Sequence, residues 1–204
     1  LTSFVKGSPI ARLIKDNLAQ RHMSYEGKDV DQGGPWGYRH QINIADSGYG
    51  SRGPRVQNDR AGEVGRTLNA KDFDLDRIFG QEGARIVHLS GLIAALSPET
   101  SQFCLEIARA AKKYGTRVVF DSARFAENAY FIKIREEGYH DKTIKEIVKE
   151  MYNYADAMTM SSKKDAIVNM GGFIGFRERK MYEEASTYNI IYEGFVTYGV
   201  MSGR

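Results

Sequence analysis

One stretch near the middle of the chain narrows its possible folds more than any other, because it reads as strand, helix, strand. Residues 84–91 (ARIVHLSG) are a short apolar run that predicts a buried strand. Ser97-Pro98 then supplies a helix N-cap followed by proline at the first helical position. The helix should run to about Tyr114 and stop at Gly115, with Phe103, Ile107, Ala110 and Tyr114 on one face. Residues 116–121 (TRVVFD) make a second strand, of the continuous apolar kind buried in parallel sheets. Strands joined through a helix lie parallel, so the expected class is α/β, a three-layer architecture around a mainly parallel sheet. Sheets of this kind place ligands at the carboxyl ends of their strands. Attention therefore falls on the residues that follow position 120.

Downstream, residues 125–137 have helical spacing and end at Gly138, and Thr143 with Glu146 has the capping-box spacing for a helix to about Tyr154. A short strand is expected at 157–160, leading into Ser161-Ser162-Lys163-Lys164-Asp165, and another at 173–176 after the Gly171-Gly172 turn. Upstream the pattern changes. Residues 27–65 are rich in Gly, Arg, Asp and Asn, with turn clusters between which short strands such as 38–45 could alternate. All four prolines and 14 of the 21 glycines precede Asp121, so the two parts of the chain read like different proteins.

With 204 residues, 42% of them hydrophobic, the chain can fill one generous core or two small ones. Its 29 Lys and Arg nearly cancel its 26 Asp and Glu, and a formal +3 gives no broad field for holding nucleic acid or a membrane. No apolar run approaches the roughly 20 residues of a membrane span. The single cysteine, Cys104, cannot form an internal disulfide and reads as a core residue of its helix, which fits a reducing cytoplasm. His22, His40, His88 and His140 lack metal-ligand spacing. The chain does not begin with Met and reads as a fragment.

Two constellations fall at expected strand ends: Asp121 with Arg124, and Ser161 with Lys163-Lys164. A lysine that condenses with an aldehyde must lose its proton, and a neighbouring cation favours the neutral amine. A pyridoxal ring draws electrons only while its ring nitrogen stays protonated, which a carboxylate fixed at a strand end ensures. A hydroxyl and a guanidinium suit the cofactor's phosphate and ring oxygen. The residues leave the plainer alternatives open: a Lys-Lys-Asp triplet as a solvated turn, and Asp121 as the N-cap of the following helix.

The run FDSARFAENAYFIKIREEGYHDKTIKEIVKEMYNYADAMTMSSKKDAIVNMGGFIGF, with YEGFVTYGVMSGR after it, closely resembles the β-eliminating lyases, the family of tryptophanase and tyrosine phenol-lyase. The resemblance implies pyridoxal 5'-phosphate and a monovalent cation such as K⁺, with tryptophan or tyrosine cleaved to indole or phenol, pyruvate and ammonia. It implies Lys164 as the Schiff-base lysine, Asp121 as the partner of the ring nitrogen, and Arg124 as the arginine near the phenolic oxygen. Ser161 matches a phosphate ligand, and Asn169 the position whose backbone carbonyl helps hold the cation. Complete family members are homotetramers.

Upstream, GSPIARLIKDNLAQRHMSYEG, QGGPWGYRHQINIADSGYGSRGPRVQNDRAGEVGRTL and ARIVHLSGLIAALSPETSQFCLEIARAAKKYGTRVVFD are similar to sugar kinases of the PfkB (ribokinase) family, close to 2-keto-3-deoxygluconate kinases. Together the resemblances imply a chimera: residues 1–120 a partial kinase segment of ribokinase-like fold, and 121–204 a partial lyase segment of the aminotransferase-like fold. The first implied function is an amino-acid-degrading lyase that is incomplete in this chain. The alternatives are a fragment of a carbohydrate kinase, lacking the Gly-Ala-Gly-Asp motif such kinases use, and a non-catalytic product of fusion or joining.

Overall fold

A computed structural model describes residues 1–168 and 171–194. The chain divides into two compact units, Leu1–Asp74 with Ala95–Phe103, and Leu75–Ala94 with Cys104–Arg204.

In the first unit, β1 (Thr2–Val5) pairs in parallel with β2 (Gly27–Val30) through α1 (Pro9–Gln20). Ser8 caps this helix, its hydroxyl accepting from the Ile10 and Ala11 amides, and Pro9 needs no partner for an amide it lacks. Phe4, Val5, Ala11, Val64 and Leu68 are buried. His40 is buried beside them, and its Nε2 accepts the Val5 amide at 3.1 Å. The glycine-rich region holds an antiparallel pair, β3 (Ile42–Asp46) with β4 (Arg55–Asp59). The strand expected over 38–45 thus begins only at Ile42, because Arg39 instead makes an isolated bridge to Glu63.

The second unit is built on a four-stranded sheet in the order β5-β6-β7-β8: β5 (Ile86–Ser90), β6 (Arg117–Asp121), β7 (Ala157–Ser161) and β8 (Gly172–Phe176). The first three strands run parallel and β8 is antiparallel to β7. The single sheet therefore carries strands from both sides of Asp121. Between β5 and β6 lie α2 (Gly91–Ala94) and α3 (Pro98–Lys113), the expected strand, helix, strand unit, and Gly115 ends it with φ of 70°. Between β6 and β7 come α4 (Phe125–Arg135) and α5 (Ile144–Tyr152), and α6 (Arg179–Glu193) follows β8. Thr143 and Glu146 form the capping box of α5 that their spacing predicted.

Two expectations need correction. The apolar run over 84–91 predicts a buried strand, yet β5 is the terminal strand of the sheet and Ile86 is 60% exposed. An apolar run records β propensity without recording how many neighbours a strand has. The buried face of α3 is as expected at Phe103 and Ile107 but shifts beyond them. Cys104, Ala108 and Ala111 are buried too, while Ala110 is half-buried and Tyr114 turns to donate its hydroxyl to Asp76 at 2.6 Å. Gly80 permits this: a Cβ there would stand 2.8 Å from the Tyr114 ring. Cys104 sits in the core as expected, and burial pushes its thiol up to about 11. Among the described residues no helix is long and apolar enough to cross a membrane.

Candidate functional site at the carboxyl edge of the sheet

Parallel pairing brings the carboxyl ends of β5, β6 and β7 to one edge. Ser90, Asp121 and Thr159 stand in register across the three strands, and β7 continues two residues further to Ser161. Side chains alternate along a strand, so Thr159 and Ser161 share a face, and in-register Asp121 shares it with them. The contact agrees: Thr159 Oγ1 donates to Asp121 Oδ1 at 3.3 Å. Ser161 lies about 7 Å along the strand direction from that pair. Asp121 and Ser161 are both half-buried.

Close packing fixes the backbone under this edge. A Cβ on Gly91, which opens α2 directly after β5, would come 2.8 Å from the Asp121 carbonyl oxygen. The residue after Asp121 is bound as well. The Ser122 amide donates to the Thr159 carbonyl at 3.0 Å, and its buried hydroxyl lies 3.0 Å from the same oxygen and 2.7 Å from the Tyr152 hydroxyl.

Lys164 sits in the turn that leaves β7. Its amide donates to the Ser161 carbonyl at 3.1 Å, and the Ser162 amide to the Gly171 carbonyl at 3.0 Å, which closes the loop back onto β8. Ile167 in this loop has φ of 55°, a left-handed conformation that is costly for a β-branched residue. Strain of this kind persists where surrounding structure enforces it. Lys164 is half-buried and Lys163 exposed, and the Lys164 ammonium has no hydrogen-bond or ion-pair partner among the described residues. Asn169 lies outside the described residues.

Arg124 is exposed and occupies the N-cap position of α4, where its guanidinium pairs with Glu127 one turn on, at 2.6 Å. Asp121 is therefore not the N-cap of α4. The Lys-Lys-Asp segment is a turn with Lys163 exposed, and its Asp165 carboxylate accepts the amides of Ala126 and Glu127 at 2.7 and 3.3 Å. These bonds bring the loop bearing Lys164 to the turn bearing Arg124. Sequence reasoning missed Asp165, Thr159, Ser122 and Tyr152. Their bonds join residues 30 or more positions apart, and the one local hint was an arginine standing where a helix cap should be.

The donor set is two cations, one carboxylate and one hydroxyl on a common edge, which suits a ligand carrying an anionic group and a basic ring nitrogen. The residues present thus fit pyridoxal 5'-phosphate in chemical kind.

Comparison with known proteins gives the sequence and the fold different neighbours. A probable beta-eliminating lyase of Trichomonas vaginalis is 56% identical over 119 residues, 58% of this chain and 26% of that protein. A tyrosine phenol-lyase of Fusobacterium nucleatum is 41% identical over 149 residues, 68% of this chain and 32% of that protein. The chain thus spans about a quarter to a third of the length of these curated relatives. In fold it is similar to a crystal structure of a PfkB family carbohydrate kinase from Listeria grayi, with a TM-score of 0.57 and 17% identity over 94% of this chain and 72% of that one. That likeness concerns the fold alone, a mixed α/β arrangement of parallel and antiparallel strands. A family model described as Beta-eliminating lyase matches residues 99–202, half of the chain, and on that match the chain belongs to the beta-eliminating lyase family.

Proposed function

We propose that the carboxyl edge of the second unit is the cofactor half of a pyridoxal-phosphate-dependent lyase acting on an aromatic amino acid, tryptophan or tyrosine, and that this chain holds only part of the catalytic apparatus. The observation that carries the reading is the common face of Asp121 and Ser161 at adjoining parallel strand ends, with Lys164 in the turn that follows. Pyridoxal phosphate, when bound, supplies an electron sink for the carbanion formed at the substrate's α-carbon. Asp121 holds a proton on the ring nitrogen, and Thr159 orients its carboxylate by donating to Oδ1. Ser161 would bind the phosphate through its hydroxyl. Arg124 faces the ring oxygen once it gives up its exposed pairing with Glu127, an exchange of small cost for a surface ion pair. The Lys164 amine would hold the cofactor covalently.

The same reading assigns residues 1–120 a kinase-like origin and 121–204 a lyase-like origin with an aminotransferase-like ancestry, and the family match, which begins at residue 99, carries lyase-like sequence upstream of that boundary. A monovalent cation near Asn169, assembly as a homotetramer with the complete enzyme and a cytoplasmic site belong to it too. The second reading, a carbohydrate-kinase segment, is favoured by the fold likeness to the Listeria kinase. Phosphoryl transfer needs groups that position and neutralise the transferred phosphate, and the sequence contains no Gly-Ala-Gly-Asp.

Titration of the purified chain with pyridoxal phosphate tests the first reading. A visible absorbance band is expected, and Lys164→Ala should abolish it. A band equally strong in Lys164→Ala, or none in the parent chain, would overturn the assignment. ATP-dependent phosphorylation of 2-keto-3-deoxygluconate by the folded chain would favour the second reading instead.

A further inference from the structure

Helix α4 starts with a residue that cannot cap it. Arg124 stands at the N-cap with φ of −127° and ψ of 50°, and its side chain makes no capping bond. A guanidinium has only donors, so the amides of the first turn need an acceptor from elsewhere. Asp165 supplies it from 39 residues further along the chain: its Oδ2 accepts from Ala126 at 2.7 Å and from Glu127 at 3.3 Å. The carboxylate also faces the positive end of the helix dipole.

The position of this acceptor gives it a second consequence. Asp165 directly follows Lys164, and among the described residues the loop's other bonds are its own, from the Ile167 and Val168 amides to the Lys164 and Ser162 carbonyls, and those at its ends through Ser161, Ser162 and Gly171. Among the described residues, Asp165 is the one side chain between 163 and 168 that bonds to another element. The arginine at the N-cap is what makes the arrangement work. An aspartate or serine at position 124 would cap α4 locally and leave Asp165 without its two donors.

We propose that Asp165 is a positioning residue: it fastens the lysine-bearing loop to the first turn of α4 and so fixes Lys164 relative to Arg124. The proposal rests on the cofactor reading above. A cap of this kind holds its partners about fivefold against opening, the equilibrium equivalent of a typical N-cap bond.

The test uses the full chain with pyridoxal phosphate as probe, borohydride trapping, and peptide mass mapping of the label on Lys164 against exposed Lys163 as internal reference. Amide hydrogen exchange is followed in the same samples. In the parent chain Lys164 should be labelled in preference to Lys163. Asp165→Ala should lower that ratio about fivefold and speed exchange at Ala126, Glu127 and the loop by a similar factor. Asp165→Asn keeps one acceptor oxygen and should fall between, which covers the case in which the alanine variant folds poorly. Faster exchange with an unchanged labelling ratio would make Asp165 a helix cap alone and overturn the proposal. A parent chain without preference for Lys164 overturns the cofactor reading instead. In that event the fastening is decided by exchange: loop protection lost in Asp165→Ala sustains it, and loop protection unchanged refutes it.

Discussion

Ser122→Ala is the substitution whose effect the structure defines best. Ser122 is 2% exposed and follows Asp121, and its hydroxyl lies 3.0 Å from the Thr159 carbonyl and 2.7 Å from the Tyr152 hydroxyl. A carbonyl can only accept, so Ser122 donates to Thr159 and accepts from Tyr152. Burial holds the Tyr152 hydroxyl above its usual phenol value, which keeps it a donor at neutral pH. The tyrosine ring is packed by Phe120 and Phe125, with centroids at 6.4 and 6.0 Å, so the hydroxyl is not free to turn away. Ser122→Ala removes both bonds and strands that donor, at a cost of about 1–3 kcal/mol. Tyr152→Phe leaves Ser122 bonded to Thr159 and should cost about 0.5–1.5 kcal/mol. The double variant leaves no stranded hydroxyl, so it should be milder than the two single effects together by about 1 kcal/mol. Hydrogen exchange at the Ser122 amide and along β6 reads these differences within the second unit, without assuming that both units unfold together. Strict additivity in the double variant, or an alanine variant indistinguishable from the parent, would refute the assigned chain of bonds.

Two further outcomes follow from single contacts. Burial lowers the His40 pKa from 6.5, and its Nε2 accepts the Val5 amide. The unfolded chain therefore binds the proton more readily, so stability of the first unit is fully present above about pH 6.5 and falls as pH drops through the lower folded value. Thermal melts between about pH 5 and 8 should show this loss in the parent and not in His40→Gln, and equal slopes in both would exclude His40 as the cause. Gly91→Ala places a methyl 2.8 Å from the Asp121 carbonyl, where backbone cannot yield cheaply. A loss of about 1–3 kcal/mol is expected, with weakened pyridoxal phosphate binding because the strand end shifts, and an unperturbed variant would disprove the close approach.

The sequence determined the pieces that depend on local chemistry. Helix starts at Ser97-Pro98 and Thr143, the helix stop at Gly115 and the strand ending in Asp121 all follow from caps, a left-handed glycine and apolar runs that act within a few residues, whereas α4 ends at Arg135, short of the stop expected at Gly138. The candidate residues Asp121, Arg124, Ser161 and Lys164 were legible for the same reason, since each stands at or just past such a boundary. Tertiary structure decided what lies beyond that range. Pairing order made β5 a terminal strand and set Asp121 beside Thr159, and the bonds of Asp165 and Ser122 span 30 to 39 residues. No local pattern encodes which acceptor reaches an uncapped helix or which hydroxyl meets a buried serine. Those partners exist only once the parallel sheet has brought its strand ends to one edge.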